Sequence, residues 1–536
     1  MENDVIRTQV IILGGGITGL AAALFLAQQG VDFILIEKRE GTSVYPRSRT
    51  IDARTMELFR GIGLSEALRE GGKALAPAWG ILRGNTLVEA LQTPAAEIMS
   101  PAKLAATQKE IADFIKNSPE GVCRCTQDIS EAIMCTHAQQ QGADIRFHHH
   151  LLSFTQHPNE VEVLVQNRQT AAQYTIRADY MIAADGASSF VRNQLNVPVS
   201  GNGSWTDLLN IYFEADLAAI VKGREFSQFL IETPEITGFL LTINNQNKWA
   251  FHLRYYPEKG ETAADYTITK LTTILHRILG IPAIKISILK VLPWQLTVRI
   301  AEQLRRNRIF LAGDAAHTMT PYAGKGANTG VQDAQNIAWK LAAVLKNQAA
   351  TTLLDTYHTE RQPVGAYYAT LSGQLAGTNG LVNTSLLPTK AKDLMGLPNF
   401  GYQSSAIKRD TNLPFTYFVG EPGTRVPHVW LDELHNISSI DWIKGQFVLI
   451  AGNNNWQAAC DKVKEQLSID IRLVVSADEK WQAITGMSND EALLVRPDDF
   501  VVARLAAIDS LGNVMTVILG KAVPLQLQVN NSLENL

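Results

Sequence analysis

The chain has 536 residues, of which 46% are hydrophobic and 19% charged, a globular composition that excludes a mainly disordered or coiled-coil protein. Its 48 Lys and Arg residues against 52 Asp and Glu residues give a formal net charge of −4, without the basic excess of a nucleic-acid-binding protein. The 4 cysteines include no CxxC pair, so we expect reduced thiols in a cytoplasmic protein rather than a disulfide scaffold or a zinc site.

An apolar run near the N-terminus could be mistaken for a targeting or membrane segment. Val10–Ala27 is interrupted by three consecutive glycines, and residues 1–9 carry charges of both signs instead of a basic leader. We therefore expect neither a signal peptide nor a membrane helix. The pattern instead predicts a strand over 5–13, a helix over 17–29 and an almost continuously apolar strand over 31–37, which together form a βαβ unit.

Glycines mark the turn between the first strand and the helix. Gly14, Gly16 and Gly19 form a GxGxxG motif, which allows a tight turn, close approach of a pyrophosphate to the backbone, and close packing of helix and strand. Glu37 ends the second strand, where its carboxylate can accept hydrogen bonds from a ribose. In this setting the motif predicts a dinucleotide site, but it does not distinguish FAD from NAD.

The rest of the chain divides into helical and strand-rich regions. Residues 195–300 are strand-rich, and residues 373–425 are rich in Gly, Asn, Thr and Pro and mark a boundary. Helices are predicted over 54–68, 126–141, 330–347 and 353–369. Beyond the boundary, short β runs predict a small α/β domain; they cover 447–451, 470–476, 492–496 and 514–519.

Two later strand ends carry acidic residues. An apolar β run delivers Asp185 into a glycine turn, which by itself also fits an ordinary strand end followed by a capped helix. Residues 308–317 end another strand at Asp314, and residues 321–330 form a glycine-rich loop that opens a long helix. A carboxylate there can bind a polyol hydroxyl, and the positive end of the helix suits a ring that gains negative charge.

The three motifs in this order resemble those of the class A flavoprotein aromatic hydroxylases, which share the p-hydroxybenzoate hydroxylase fold. The resemblance covers residues 6–370 and includes the arginine segment 46–57 and the Asp-x-Tyr-x-x-Glu-Arg run 355–361. It implies an α/β fold: a Rossmann-like FAD-binding domain interleaved with a β-sheet substrate domain, plus a small thioredoxin-like α/β C-terminal domain. Residues 423–428 resemble the entry to that last domain in the phenol hydroxylase and aromatic polyketide hydroxylase branch. The implied segments are 1–74, 101–194 and 301–400 for the FAD-binding domain, 75–100 and 195–300 for the substrate domain, and 415–536 for the C-terminal domain.

The resemblance also assigns residues to the cofactor. Those expected to bind FAD are Gly14, Gly16, Gly19, Glu37, Arg47, Gln127, Asp185, Asp314, Pro321, Gly324, Gly326, Ala327 and Asn328. Gln127 and Asp314 would contact the ribityl chain, residues 321–328 would wrap the isoalloxazine, and Asp185 would serve both FAD and NAD(P)H. Arg49 is expected beside the cofactor with Arg47, and Lys325 could place a charge near the ring. Ala323 departs from the family, in which many members have a second glycine beside Gly324.

By resemblance, the protein is an FAD- and NAD(P)H-dependent monooxygenase that hydroxylates an aromatic, phenolic or polycyclic polyketide-like substrate with O₂ through a flavin C4a-hydroperoxide. Two alternatives fit the same motifs: FAD-dependent oxidation or epoxidation of a non-phenolic natural-product intermediate, and a flavin-carrying binding protein that does not hydroxylate. A plain NAD dehydrogenase would leave the second and third motifs unexplained. The C-terminal domain has no CxxC, so we expect a structural role or a role in a homodimer.

Other side chains have competing interpretations. His148, His149 and His150 diverge along a strand and are not expected to bind a metal. His317 follows Asp314 closely, and packing near the flavin is favoured over proton transfer. Several aromatic residues could line a large apolar pocket or form the core of the sheet: Trp249, Phe251, Tyr255, Tyr256 and Trp294. No side-chain base for a phenol is identified.

Overall fold

The computed structural model describes residues 5–99, 115–387, 393–394, 396–410 and 412–521, which form three β-sheets with helices packed around them. None of the helices in these residues is both long and apolar enough to cross a bilayer. The strands in chain order are β1 (Val5–Leu13), β2 (Phe33–Glu37), β3 (Ile81–Arg83), β4 (Glu97–Met99), β5 (Asp144–Phe147), β6 (His149–Gln156), β7 (Val161–Asn167), β8 (Gln173–Ala183), β9 (Val199–Glu214), β10 (Gln228–Glu232), β11 (Thr237–Thr242), β12 (Lys248–Tyr255), β13 (Ser287–Ala301), β14 (Arg305–Arg306), β15 (Ile309–Leu311), β16 (His317–Thr318), β17 (Phe447–Ala451), β18 (Ile471–Val475), β19 (Ala492–Val495) and β20 (Val501–Leu505). The α-helices are α1 (Ile17–Gln28), α2 (Ala53–Arg60), α3 (Ser65–Gly71), α4 (Leu87–Gln92), α5 (Gln127–Gln140), α6 (Phe190–Gln194), α7 (Ala218–Val221), α8 (Ile268–Leu279), α9 (Gly326–Leu345), α10 (Asp355–Leu375), α11 (Gln457–Leu467), α12 (Glu479–Thr485) and α13 (Ser510–Ile518).

The first sheet has the strand order β14-β15-β8-β1-β2-β5, and β6 and β7 extend it beside β8. Strands β15, β8, β1, β2 and β5 are parallel, as the nearly continuous apolar sequences of β1 and β2 predict. Leu13 lies opposite Ile36 on one side and Ala183 on the other, and Leu311 also lies opposite Ala183. The carboxyl ends of four strands, β2, β1, β8 and β15, therefore meet at one edge.

The second sheet is mainly antiparallel, in the order β16-β13-β9-β12-β11-β10-β3-β4. One face, carrying Ile211, Trp249 and Phe251, packs on apolar residues of α4 and α8 and forms a separate core. The opposite face carries Leu230 and Phe239, which pack in a cluster with residues of α10. Side chains alternate between the faces of a strand, so the second face packs on α10 while the first face packs on α4 and α8.

The C-terminal sheet has the order β18-β17-β19-β20, with β17 and β18 parallel and β19 and β20 antiparallel to their neighbours. The order β-α-β-α-β-β-α along the chain fits a small α/β domain, and its thioredoxin-like character stays a prediction. The predicted strand over 514–519 is wrong, because residues 510–518 form α13. Its β-branched residues suggested a strand, but Leu511, Val514, Met515 and Ile518 recur at helical spacing and are buried in the domain core.

The single helix predicted over 54–68 is also wrong, because the segment forms α2 and α3. Gly63 between them has φ of +76°, a left-handed conformation that interrupts the helix.

Buried ion pairs join the C-terminal domain to helices that pack on the first sheet. Glu360 of α10 accepts hydrogen bonds from Lys340 of α9 at 2.8 Å and from Arg496 after β19 at 2.6 and 2.7 Å. Glu57 of α2 accepts one from Arg425 Nε at 2.8 Å. All five side chains are essentially inaccessible to solvent. Separating the domains would expose or unpair these charges, so the two parts form one structural unit.

Candidate functional site

The three motifs meet at the shared edge of the first sheet. Gly14 follows β1, Asp185 follows β8 and Asp314 follows β15. Backbone hydrogen bonds continue past the strand ends, from Ala184 N to Leu13 O at 2.9 Å and from Ala312 N to Ala183 O at 3.0 Å. Ligands of open α/β sheets bind at the carboxyl ends of the strands, so this edge is the candidate site.

The glycine turn leaves no room for side chains. Gly14 has φ of +101°, and a Cβ there would lie 2.4 Å from Ala184 O. A Cβ on Gly19 would lie 1.8 Å from Gly14 O. Gly16 precedes α1 in an extended conformation and provides no side-chain cap. The N-terminus of α1 thus reaches the cleft in the geometry that suits a diphosphate.

Two carboxylates hold this turn, and sequence reasoning identified only Glu37. Glu37 is buried and accepts hydrogen bonds from Gly15 N at 2.7 Å and Arg39 N at 2.9 Å. Glu131 of α5 accepts from Ile17 N at 3.1 Å, from Ser43 N at 2.7 Å and from Gln127 Nε2 at 2.6 Å. Burial raises the pKa of Glu131, although these hydrogen bonds oppose the shift. The i,i+4 spacing of Gln127 and Glu131 was the available signal.

Arg192 connects the second motif to the third. Its guanidinium donates to Ala315 O at 3.0 Å and to Ala187 O at 2.9 Å, across the turns that carry Asp314 and Asp185. Asp185 Oδ2 accepts from Val191 N at 3.2 Å at the start of α6. The capped-helix interpretation of this motif is therefore correct locally, and Asp185 also lies at the shared edge.

Asp333 of α9 organises the third motif and was missed from the sequence. Its carboxylate lies 2.6 Å from His317 Nε2 and accepts from Gly313 N at 3.1 Å and from Arg361 Nε at 2.8 Å. The charges of His317 and Arg361 hold the pKa of Asp333 below its usual value, despite burial that raises it. Asp333 lies seven positions after Gly326, on the turns of α9 that face the strand end. This contact fixes the turn that presents Asp314.

Asp314 itself is open to solvent from the cleft. The surrounding protein nevertheless removes enough hydration to raise the pKa of its carboxyl group, and the charges of His317 and Arg47 oppose that shift. A hydroxyl donor from a ligand would replace the lost hydration.

The glycine-rich loop before α9 is anchored by Asn328. Asn328 Oδ1 accepts from Asp52 N at 3.0 Å, and its Nδ2 donates to Thr50 O at 3.1 Å and Gly324 O at 2.7 Å. Lys325 Nζ lies 2.9 Å from Asp52 Oδ2 in a buried ion pair, so its charge is already compensated. Gly324 has φ of +62°. Ala323 lies in the preceding 3₁₀ turn with negative φ, so the alanine there is accommodated without strain.

The two arginines of the segment before α2 have different environments. Arg47 is exposed, and its charge reaches Asp314 across the cleft. Arg49 turns toward the second sheet, where its guanidinium donates to Ser227 O at 3.1 Å and Thr242 O at 2.9 Å.

The residues at this edge fit FAD. Among the described residues, Asp185 Oδ1, Asp128 Oδ1 and Thr126 Oγ1 are buried without a hydrogen-bond partner, as expected of groups that meet a hydroxyl-rich ligand. Gly16 is partly exposed just before α1, so no side chain of that residue covers the N-terminus of the helix. A small cleft is lined by residues of the arginine segment, α5 and the first turn of α9; its lining includes Ile17, Ser48, Thr50, Cys125, Ala327 and Asn328.

Four aromatic side chains pack against one another between the second sheet and the glycine-rich loop. His252 stacks on Phe239 with centroids 4.5 Å apart and meets Trp294 edge-on at 5.2 Å. Phe239 also meets Tyr322 of the loop edge-on at 5.8 Å. We name these four side chains the aromatic slot. His252, Trp294 and Tyr322 are partly exposed, and ring surface of this kind suits contact with a flat aromatic ligand.

Most of the aromatic candidates named from the sequence lie elsewhere. Trp249, Phe251 and Tyr255 belong to the core on the opposite face, so the sheet-core interpretation is correct for them. Tyr256 lies just after β12 beside Arg254 and Lys259. Only Trp294 of the five is in the aromatic slot. His252, Phe239 and Tyr322 were missed, because strand alternation separates two faces without indicating which one faces the ligand.

Comparison with known proteins assigns the chain to a family. Residues 7–372 match the FAD binding domain family, and residues 420–522 match the aromatic-ring hydroxylase C-terminal family. The chain is 36% identical over 533 residues to tetracenomycin B2 monooxygenase-dioxygenase of Streptomyces olivaceus, covering 94% of this chain and 96% of the relative. It is 30% identical over 521 residues to an aklavinone 12-hydroxylase of Streptomyces purpurascens, covering 93% and 95%. The solved structure of aklavinone-11 hydroxylase with FAD and aklavinone superposes with a TM-score of 0.84 at 28% identity, covering 97% of this chain and 100% of that one.

Proposed function

We propose that this chain, which belongs to the FAD-binding aromatic-ring hydroxylase family, hydroxylates a polycyclic aromatic substrate rich in oxygen substituents, with NAD(P)H as reductant and O₂ as oxidant. As a member of that family it is an FAD-dependent aromatic monooxygenase. The observation that carries the proposed substrate class is the aromatic slot, in which partly exposed rings of the second sheet pack with Tyr322 of the glycine-rich loop. The names of the relatives, a tetracenomycin monooxygenase and aklavinone hydroxylases, point in the same direction.

The residues of the shared edge would hold the cofactor. The N-terminus of α1 would bind the diphosphate, Glu37 a ribose hydroxyl, and Asp314 a ribityl hydroxyl. The anchored loop before α9 would position the isoalloxazine beneath the slot. When bound, FAD accepts a hydride from the nicotinamide and activates O₂ for transfer of one oxygen atom to the aromatic ring.

The second sheet would bind the substrate. Its inner face would hold the ring to be hydroxylated against the cofactor, and the apolar walls would exclude water that would otherwise divert the activated oxygen. His252 has its pKa lowered to about 3, chiefly by burial and also by the charge of Arg49, so it is neutral at physiological pH. It can therefore exchange hydrogen bonds with a ligand without carrying a charge.

The test is anaerobic reduction of the FAD-loaded protein by NADPH or NADH. The loss of flavin absorbance at visible wavelengths measures the rate of reduction. We expect a hydroxylated anthraquinone or naphthacenequinone to accelerate reduction by at least about tenfold over ligand-free protein, and admission of O₂ to yield a product with one added oxygen. Replacement of Asp314 by Asn should weaken FAD binding, whereas Asp461→Asn on the exposed face of α11 should not. If these quinones bind but none of them accelerates reduction of the flavin, the result would favour the flavin-carrying binding protein instead.

The homodimer and the cytoplasmic location stay predictions. Gel filtration with light scattering measures the oligomeric state directly.

A further inference from the structure

A buried tyrosine connects the C-terminal domain to the third motif. Tyr402 lies in the segment between α10 and the C-terminal sheet, and its hydroxyl oxygen accepts a hydrogen bond from Arg361 Nη1 at 2.9 Å. Its ring stacks on Phe500, the residue before β20, with the ring centroids 4.1 Å apart. Tyr402 N also donates to Gly423 O at 2.7 Å, so the backbone on this side is held by the C-terminal domain as well. Both rings and the arginine side chain are buried.

Arg361 of α10 extends this contact to two parts of the third motif. Its Nε donates to Asp333 Oδ1 at 2.8 Å, and its Nη2 donates to Thr329 O at 3.2 Å in the first turn of α9. Asp333 in turn accepts from Gly313 N at 3.1 Å. Consecutive buried hydrogen bonds therefore join the hydroxyl of Tyr402 to the turn at the end of β15.

The helix that carries Arg361 also packs directly on the histidine of this motif. A Cβ at Gly365 of α10 would lie 2.5 Å from His317 Cδ2, so no residue with a side chain fits between the helix and the ring. Glycine destabilises the interior of a helix relative to alanine, and this close approach explains its presence in α10. A displacement of α10 would therefore move His317, which is itself a partner of Asp333.

The hydroxyl of Tyr402 is matched to the cation that it contacts. Burial raises the pKa of Tyr402, although the charge of Arg361 opposes the shift, so the side chain is a neutral phenol. Phenylalanine at this position would keep the stacked ring but remove the acceptor of Arg361 Nη1. Because a guanidinium presents its donors in a rigid planar fork, the loss of one partner alters the orientation of the other two hydrogen bonds. The ion pair between Glu360 and Arg496 would remain, so the domain contact itself would survive.

We propose that Tyr402 is a positioning residue for the third motif, and that through it the C-terminal domain contributes to the binding of FAD. The proposal rests on the proposed binding of FAD at the shared edge. Tyr402 acts through Arg361 and Asp333, which hold the turn before Asp314. The C-terminal domain thereby gains a role in the cofactor site, in addition to the structural or dimer role expected from the sequence.

The test is the affinity of the full-length apoprotein for FAD, measured by quenching of the flavin fluorescence on binding. We expect Tyr402→Phe to raise the dissociation constant about tenfold, the order expected for a buried hydrogen bond to a charged group. Phe500→Leu removes the ring that supports Tyr402 and should act in the same direction. Tyr266→Phe is the matched control, because it removes a hydroxyl bonded to Glu261 beside α8 and should change the affinity by less than about twofold.

A double-mutant cycle separates transmission through Asp333 from a general loosening of the protein. Once Asp333→Asn has broken the chain of hydrogen bonds, adding Tyr402→Phe should weaken FAD binding by less than about twofold. Glu37→Gln alters the first motif instead, and Tyr402→Phe should keep its full effect, about tenfold, in that background. Coupling that is confined to the third motif is the result a purely structural role would not produce.

A spectroscopic measurement at saturating FAD complements the affinities. The circular dichroism of the bound flavin at visible wavelengths depends on how the protein fixes its orientation. We expect Tyr402→Phe and Asp333→Asn to change this spectrum in the same way, and Tyr266→Phe to leave it unchanged.

Other outcomes would overturn the proposal. Unchanged FAD affinity in Tyr402→Phe, even with a lower free energy of unfolding, would restrict the residue to a structural role. Equal effects of Tyr402→Phe in the Asp333→Asn and Glu37→Gln backgrounds would refute transmission through Asp333. If Tyr402→Phe does not fold, Phe500→Leu is compared in the same two backgrounds. Normal FAD affinity in Asp314→Asn and Glu37→Gln would instead refute the proposed FAD site, so the two failures are distinguishable.

Discussion

Replacement of Asp333 by Asn probes the contact that presents Asp314 to the cofactor. The carboxylate of Asp333 meets three donors, at Gly313, His317 and Arg361, at 3.1, 2.6 and 2.8 Å. An amide retains one acceptor oxygen and places an NH₂ group against a donor, so at least one charge-assisted hydrogen bond is lost, and Arg361 loses its ion pair. Each such bond contributes about 1.5–3 kcal/mol, and breaking a buried pair costs about 3–5 kcal/mol. We expect the free energy of unfolding to fall by about 3–5 kcal/mol.

The same substitution should weaken FAD binding, because Gly313 N loses its acceptor at the turn before Asp314. A loss of about 1.4 kcal/mol corresponds to about tenfold in the dissociation constant. Denaturant unfolding of the apoprotein and recovery of FAD fluorescence on release measure the two effects. Asp355→Asn, which breaks an exposed ion pair with Arg305, is the matched control and should change stability by less than about 1 kcal/mol. If Asp333→Asn binds FAD normally and loses less than about 1 kcal/mol, the assigned role of Asp333 is wrong.

Three further predictions concern the domain contact, pH and the slot. Arg496→Met leaves Glu360 buried without its arginine, and we expect a loss of about 3–5 kcal/mol together with faster amide exchange in the C-terminal domain, measured by mass spectrometry. Burial raises the pKa of Asp499 to about 6, although its arginine partner opposes the shift, so the folded state binds a proton that the unfolded state has released. The contribution of that proton to the free energy of unfolding is complete below about pH 4 and is lost as the pH rises through about 6. Asp499→Asn should flatten this part of the plot of unfolding free energy against pH, measured by denaturant unfolding. Trp294→Phe should weaken binding of a polycyclic ligand and have little effect on stability. Trp249→Phe in the core should lower stability and have little effect on ligand binding. Equal effects of the two substitutions would contradict the assignment of faces.

Short-range patterns made the shared edge predictable. Gly14, Asp185 and Asp314 each follow an apolar β run, and parallel strands place such positions together whatever their separation along the chain. Helical residues that contact these turns from a distant part of the chain were not predictable in this way. Glu131 and Asp333 each contact a turn more than a dozen residues away. The i,i+4 spacing of Gln127 and Glu131 indicates a local contact on one helix, but it does not indicate the distant turn.

Local composition misled where tertiary packing decided the outcome. The segment that forms α13 has the β-branched residues of a strand, yet it buries a helical stripe that contains Leu511 and Met515. In the second sheet, strand alternation places Phe251 and His252 on opposite faces, but which face turns toward the glycine-rich loop is decided only by the assembled layers.

The strand order of the first sheet also has a consequence for biosynthesis. β1 can pair with β2 once both have left the ribosome, but its other neighbour, β8, begins only at Gln173, and β15 follows at Ile309. One side of β1 therefore stays unpaired while more than a hundred further residues are translated, and an unpaired apolar strand is prone to pair with other chains. The shared edge that would bind the cofactor is complete only after most of the chain has been translated. Fragments that stop before β15 should accordingly aggregate in the cell, and the full chain should depend on chaperones during synthesis more than its final stability would indicate.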